Sequence, residues 1–268
     1  MQVITIPTLL DDHLLQTLIL TRRDSQKESS HKTRHRMRVV GQPLWLLFLL
    51  VSVIHCDALA AKANAATSHA DLVEQQLGYL PRNYHGVSAR NSKGVPIAIK
   101  TYPLLRKKGS EGKPLELKTF SASPFPTSYW LTCPNIARAI GELERIGYIG
   151  HIVDYLNLDQ NSAKRNNLLQ CHEQCGDDRW ATLTPSDRQF FIDHAKDHST
   201  VSRMVAIIKD SGISGLEFKR QGPGLKCLHT HYAYFRSIQQ NDSSGREENP
   251  VGRIVHDILG KEFPDLDL

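Results

Sequence analysis

The chain of 268 residues has few cysteines and only short apolar runs, and these shortages exclude several classes of protein. Five cysteines are too few for a small fold held together by disulfides. A hydrophobic fraction of 40% with 23% charged residues is ordinary globular composition, which excludes wholesale disorder, a collagen-like repeat and a polytopic membrane protein. We therefore expect a globular protein of one mid-sized domain or two small ones.

The chain also lacks a strong charge of one sign in its main part. Its formal net charge is +5, but residues 1–42 carry +3 of it and residues 43–268 only +2. Nucleic-acid binders driven by electrostatics need a basic field over the folded surface. We therefore predict that nucleic acid is not a partner.

Common catalytic motifs are missing as well. The sequence has no Gly-x-Ser-x-Gly elbow, no phosphate-binding Walker loop, no dinucleotide-binding Gly-x-Gly-x-x-Gly after a strand and no His-Glu-x-x-His. It has no internal repeats either. The sequence indicates a possible site more clearly than a reaction, and whether the protein is an enzyme stays open.

The N-terminal segment, residues 1–65, has the layout of an extension followed by a secretory signal peptide. Its apolar h-region, 44–54, rises about 16 Å as a helix, against about 30 Å for a bilayer core. The small-residue patterns at 58–60 and 63–65 are typical of cleavage sites. We predict a secreted or secretory-pathway protein with no stable membrane span after cleavage. An uncleaved signal anchor, or an organelle reached through a bipartite signal, is the alternative, and a start at Met37 gives the more standard layout.

The remaining chain predicts a short linker, 66–84, and a single folded domain, 85–264. Alternating apolar residues predict strands over 95–102 and 115–120, separated by a solvated hairpin-type loop. Everything after residue 134 has helical character. The predicted fold class is α+β, a mostly helical domain with a small N-terminal antiparallel sheet.

Several helix boundaries have clear signals. Pro134 suits the first position of a helix capped by Cys133, and Gly147 suits its end. The pair Thr184-Pro185 predicts the start of a helix that continues past Ile208. Two further helices are predicted to begin near Lys226 and at Asn249-Pro250.

Four residues are the candidate metal ligands: Cys133, Cys227, His229 and His231. At a helix N-cap, the unpaired N–H groups favour the thiolate of Cys133. If the segment after Lys226 is helical, Cys227 and His231 share one face at i and i+4, and His229 joins them only through a non-helical first turn. Sulfur and nitrogen ligands of this kind select zinc or another late transition metal.

Competing interpretations stay open for the same residues. Cys133 and Cys227 are also compatible with a disulfide, or with packed thiols that bind nothing. Glu144 lies about 16 Å along the helix from Cys133, too far to help that thiol directly.

Two other pairs favour structural roles over a metal. Cys171 and Cys175, four residues apart with Asp177 and Asp178 after them, are compatible with a metal site and at least as compatible with a local disulfide or two surface thiols. For His194 and His198, on an apolar stripe, we favour packed core histidines.

Several of these segments together resemble a mainly bacterial family, the domain of unknown function numbered 501. The resemblance is carried by Pro124-Phe125-Pro126-Thr127-Ser128-Tyr129-Trp130-Leu131-Thr132-Cys133-Pro134, Leu143-Glu144, Gly147, Lys226-Cys227-Leu228-His229 and Asn249-Pro250-Val251-Gly252. It implies one compact domain with Cys133, Cys227 and His229 as signature polar residues, and no known reaction. Family members often carry a further cysteine where this chain has Asn91, which weakens a four-ligand structural site and favours an open or histidine-completed one.

Three functions follow. The first is a Cys/His-centred site, with zinc as the candidate cofactor, of hydrolytic activity. The second is a non-catalytic interaction module whose Cys/His cluster is structural. The third is a thiol redox protein that uses Cys133 and Cys227.

Overall fold

The computed structural model describes residues 68–118, 121–216, 218, 225–241 and 245–268. The predicted signal peptide lies outside these residues. Within them the chain forms five strands: β1 (Tyr84–Arg90), β2 (Pro96–Thr101), β3 (Leu104–Arg106), β4 (Ala122–Pro124) and β5 (Tyr129–Leu131). It also forms eight α-helices, and the strands precede all but the first of them: α1 (His69–Leu77), α2 (Pro134–Arg145), α3 (Tyr148–Asn157), α4 (Ser162–Thr182), α5 (Pro185–His194), α6 (Ser199–Asp210), α7 (Leu228–Gln240) and α8 (Pro250–Glu262).

The strands make two small antiparallel sheets. One has three strands in the order β1-β2-β5, and the other pairs β3 with β4. The predicted fold class, a mostly helical α+β domain with a small N-terminal antiparallel sheet, is confirmed. Helix α1, capped by Ser68 through a capping box, falls in the segment predicted as a linker.

Helix α7 is the central element of the core. It packs against β1, β2 and β5 and also against α2 and α8. Its buried side chains include Tyr232, Tyr234 and Phe235. A Cβ added to Gly252 of α8 would lie 2.2 Å from the Cβ of Phe235, so only glycine permits this close crossing of α7 and α8. Helix α7 is therefore held between the three-stranded sheet and the helices α2 and α8.

The strand predicted over 115–120 was wrong in its described part. The segment 115–118 is a loop, and the strand that pairs with β3 is β4. The alternation of Leu115 and Leu117 arises because both side chains pack on a buried cluster around Phe191 without joining a sheet.

The helix predicted to run from Pro185 past Ile208 is two helices, α5 and α6, with His198 as the N-cap of the second. The break at 195–198 also corrects the prediction for the histidine pair. Because α5 ends at His194, that side chain is partly exposed and His198 is fully at the surface. Their rings are neighbours, 5.8 Å apart between centroids, but neither is a core residue.

Cys171 and Cys175 are not surface thiols. Both are fully buried on α4, and all four cysteines in the described part of the chain are thiols. Although α4 is polar in composition, one of its faces is buried and includes Leu168 and both cysteines. The composition therefore did not predict their burial. Within the described ranges, no helix is long and apolar enough to cross a bilayer.

Candidate metal centre

Two helix ends build the candidate centre. Helix α7 begins only after Cys227, which is the N-cap residue in an extended conformation with φ −147° and ψ 120°. Cys227 therefore lies outside the helix. The sequence predicted that His229 would join Cys227 only if this first turn was not helical, and that condition is met. Glu144 lies in the last turn of α2, which packs against α7.

The three side chains converge on a small volume. The Nδ1 atom of His229 lies 3.1 Å from Oε1 of Glu144 and 3.8 Å from Sγ of Cys227. One ligand atom from each residue lies within 4.8 Å of the other two. The side chains of His229 and Glu144 are 28% and 25% exposed, so the cluster is open to solvent on one side.

The ring of His229 is anchored on its far side. Its Nε2 atom lies 2.9 Å from the carbonyl oxygen of Ala137. A carbonyl only accepts, so Nε2 carries the hydrogen and donates it. The Nδ1 atom is thereby directed at Glu144 and Cys227. In the metal-free protein the hydrogen bond with Cys227 raises the pKa of His229 to about 9, helped by the charge of Glu144 and the Ala137 carbonyl and opposed by burial.

Glu144 is held by the start of α7. Its Oε1 atom accepts a 2.6 Å hydrogen bond from the backbone N–H of Leu228, the first residue of the helix. A carboxylate is favoured there because the helix N-terminus carries unpaired N–H groups and partial positive charge. The second carboxylate oxygen leaves Glu144 a further ligand atom.

Two of the three separations in the cluster agree with those expected around a zinc ion, and the third, between the sulfur and a carboxylate oxygen, is within 4.8 Å. Tetrahedral zinc with bonds of about 2.0–2.3 Å places nitrogen and oxygen ligands about 3.3 Å apart, and nitrogen and sulfur ligands about 3.6 Å apart. The observed separations of 3.1 Å and 3.8 Å differ from these by a few tenths of an ångström. A ligating histidine also usually donates its other N–H to a carbonyl or a carboxylate, as His229 does to Ala137.

The same geometry disfavours a cysteine–histidine–carboxylate triad. In such a triad the base uses one ring nitrogen for the nucleophile and the other for the orienting carboxylate. Here Cys227 and Glu144 both face Nδ1 of His229, and Nε2 is bonded to the backbone. The ring therefore cannot take the thiol proton on one nitrogen while the carboxylate orients it through the other.

The other two predicted ligands lie elsewhere. Cys133 is the N-cap of α2, as predicted, and is 4% exposed. His231 is fully buried, with its Nδ1 atom 3.3 Å from Nδ2 of Asn249 and its ring edge-on to His172. In the described residues, the one group of three or more metal-binding side chains contains Cys227 and His229 but neither Cys133 nor His231. The disulfide left open between Cys133 and Cys227 is not formed.

Glu144 is the member of the cluster that the sequence did not predict. Along the sequence Glu144 is compared most directly with Cys133, which lies at the opposite end of α2, and nothing local relates Glu144 to the segment around Cys227. Its pairing with His229 spans 85 positions of the chain, which no local pattern reveals. The one available signal was the place of Leu143-Glu144 among the segments that carry the family resemblance.

A separate cleft of about 350 Å³ lies between the start of β1 and the start of α5. At its floor Asp187 is 1% exposed and accepts hydrogen bonds from Tyr102 and Arg106, both at 2.6 Å. These polar groups satisfy one another, and Arg106 also donates to the carbonyl of Lys113. The arrangement joins the sheets to α5 without requiring a ligand.

The fold and the cluster define a helical α+β protein with a partly exposed carboxylate, thiol and imidazole where two helix ends meet. The family model "Protein of unknown function (DUF501)" matches residues 87–257, and the chain belongs to that family. The match covers Glu144, Cys227 and His229, and it confirms the resemblance seen in the sequence. No curated protein and no solved structure matches the chain.

Proposed function

We propose that Glu144, Cys227 and His229 hold a zinc ion and that the site serves a hydrolytic reaction. The observation that carries the proposal is the anchoring of His229. Its Nε2–H is bound to the Ala137 carbonyl, so its Nδ1 lone pair is directed at the point where the sulfur and the carboxylate converge. Such preorientation by an outer hydrogen bond is typical of zinc ligands.

The number of ligands supports a catalytic site over a purely structural one. Structural zinc sites are closed by four protein ligands, whereas catalytic sites use three and keep one position open. Zinc in such a site lowers the pKa of a bound water to about 7 and has no redox chemistry of its own. In this chain His229 and Cys227 supply nitrogen and sulfur from the start of α7, Glu144 supplies oxygen from α2, and the partial exposure of the cluster leaves a path for substrate.

The test is the zinc content of the purified full chain, with matched variants. We expect about one zinc per chain, and a large loss in Cys227→Ser, His229→Gln and Glu144→Gln. Glu142→Gln is the control, because Glu142 lies on the same helix but pairs with Arg145 at the surface. Cobalt substitution gives a second readout, since the sulfur-to-cobalt absorption band must vanish in Cys227→Ser and persist in the control.

Two results would contradict the proposal. One is a folded wild-type chain that takes up neither zinc nor cobalt. The other is equal metal content in the control and in all three ligand variants, which would place the metal elsewhere.

One observation favours a second candidate, a non-catalytic module. His229 and Glu144 form an ion pair at 3.1 Å that joins α2 to α7. A cluster of this kind stabilises the fold and needs no substrate. The two candidates differ in two measurable ways. A zinc site gives about one zinc per chain, and added zinc raises the melting temperature. If the cluster is only an ion pair, the protein holds no zinc and added zinc leaves the melting temperature unchanged.

We also propose that the protein enters the secretory pathway. The proposal is supported by the short apolar run 44–54, which is followed by small residues typical of cleavage sites.

A further inference from the structure

The four thiols in the described part of the chain differ sharply in access to solvent. Cys133 is 4% exposed, and Cys171 and Cys175 are fully buried, whereas Cys227 is half-buried. Burial raises the pKa of Cys171 to about 12 and raises that of Cys175 as well, so both remain protonated thiols. Oxidants react with the thiolate and need access to it. Among these four residues, Cys227 is the one that meets the requirement of access.

Cys227 is also a member of the cluster itself. Its Sγ atom lies 3.8 Å from Nδ1 of His229, and all three members of the cluster are partly exposed. The residue is the N-cap of α7, and its sulfur makes no capping hydrogen bond to the helix. The same sulfur is the soft ligand of the proposed zinc site.

We infer that Cys227 makes this site sensitive to peroxide, so that oxidation of its sulfur releases the metal. The inference rests on the proposed zinc site and concerns its regulation. Hydrogen peroxide is the oxidant: its O–O bond breaks, one oxygen forms the S–O bond of a sulfenic acid, and the other leaves as hydroxide. The sulfur gives up two electrons, and zinc is neither oxidised nor reduced.

Loss of the thiolate removes one of three protein ligands. Glu144 and His229 then pair with each other, as they do in the structure, and the ion is released. The change is reversible at the sulfenic stage. Two molecules of a small thiol reduce it: they form their own disulfide and water, the Cys227 thiol returns, and zinc binds again.

The experiment treats the zinc-loaded full chain with hydrogen peroxide in the presence of a chromogenic zinc chelator. We expect release of one zinc per chain, with the gain of one oxygen atom on the peptide that contains Cys227 and trapping of the sulfenic acid by dimedone. Dithiothreitol followed by zinc should restore the starting state. Cys133→Ala is the matched control, and it should release zinc as the wild type does.

A second variant removes the sulfur but keeps a ligand. In Cys227→His the imidazole replaces the thiolate, so zinc should stay bound under the same peroxide treatment. The peptide mass of the wild type provides an independent test if this variant does not fold.

The outcomes separate the two proposals. A chain that never binds zinc overturns both. A chain that binds zinc through the three ligands but keeps it in peroxide overturns only the redox inference. Release with oxidation of another cysteine, or with a Cys133–Cys227 disulfide in place of the added oxygen, also overturns it.

Discussion

The Nε2 atom of His229 lies 2.9 Å from the carbonyl oxygen of Ala137, so a helix backbone group sets the orientation of the imidazole. Ala137, Gly141 and Glu144 are spaced at i, i+4 and i+7 and therefore share one face of α2. A Cβ at Gly141 would lie 4.0 Å from Cε1 of His229, an ordinary contact, so only a side chain longer than that of alanine would press on the ring. One face of α2 thus positions the histidine and supplies the carboxylate.

This relationship predicts a graded effect of substitution at Gly141. Gly141→Ala adds a methyl group at an ordinary contact distance and should leave zinc affinity unchanged. Gly141→Leu should displace the ring from Ala137 and lower zinc affinity by about tenfold or more, as other losses of outer hydrogen bonds do. Competition with a chromophoric chelator measures both. Equal affinity in the two variants would show that the face of α2 does not position His229.

Zinc binding should depend on pH through the same histidine. The pKa of His229 in the metal-free protein is raised to about 9, so below that pH zinc must displace a proton from Nδ1. We expect apparent affinity to rise about tenfold per pH unit from this group up to about pH 9, and then to level. Chelator competition across this range, with proton release followed by calorimetry, checks the sign. A flat profile below pH 8 would contradict the assignment of His229 as a ligand.

The contact between α4 and α6 predicts a strong effect at one glycine. A Cβ at Gly176 would lie 2.0 Å from the carbonyl oxygen of Lys209, a backbone atom that cannot move independently. Gly176→Ala should lower the free energy of unfolding by about 3 kcal/mol or more, because the helices must separate. Gly150→Ala is the control: the site is open and helical, so alanine should stabilise by up to about 1 kcal/mol. Urea unfolding of both variants measures the difference.

Arg179 predicts a second large loss of stability. Its side chain is fully buried and donates to the carbonyl oxygens of Pro126, Ile208, Ser211 and Gly212. Arg179→Met should leave these buried acceptors unsatisfied and lower the free energy of unfolding by about 3 kcal/mol or more.

The control for Arg179 is another arginine on a helix. Arg145 is 67% exposed and pairs only with Glu142 at i−3, so Arg145→Met should leave the melting temperature unchanged. If the two variants unfolded at the same temperature, Arg179 would not be the support of the 208–212 segment that its contacts indicate.

The N-terminal segment gives a prediction that is independent of the site. N-terminal sequencing of the protein from its own cells should find a first residue within or just after 58–66, because the small-residue patterns end there. A chain that retains 44–54 and fractionates with membranes would instead be signal-anchored. Replacing two leucines of 44–54 with aspartate should abolish entry into the secretory pathway in either case.

Local features of the fold could be predicted from sequence because they depend on neighbouring residues. The Cys133-Pro134 start of α2 was predicted correctly, since N-cap geometry and proline at the first position are decided within one turn. Gly147 was also predicted correctly as the residue that follows the end of α2. Its φ is 84°, a conformation that other residues adopt with difficulty.

Features that depend on the tertiary fold could not be predicted in the same way. The break between α5 and α6 interrupts an apolar stripe whose spacing continues as if the helix did, so periodicity gave no warning. The burial of Cys171 and Cys175 follows from the position of a long polar helix between other elements. In the site, the choice of His229 over His231 depended on whether Cys227 is inside or outside the helix, a difference of one residue at a boundary.

The distance along the chain between Glu144 and His229 has a mechanical consequence. An ion bound to both side chains cross-links α2 to α7 and closes a loop of 85 residues. By the chain-entropy estimate used for disulfides, a cross-link around a loop of this length stabilises the folded state by about 4–5 kcal/mol. In the proposed site Cys227 and His229 come from one short segment, so Glu144 is the ligand through which a bound ion would connect that segment to α2.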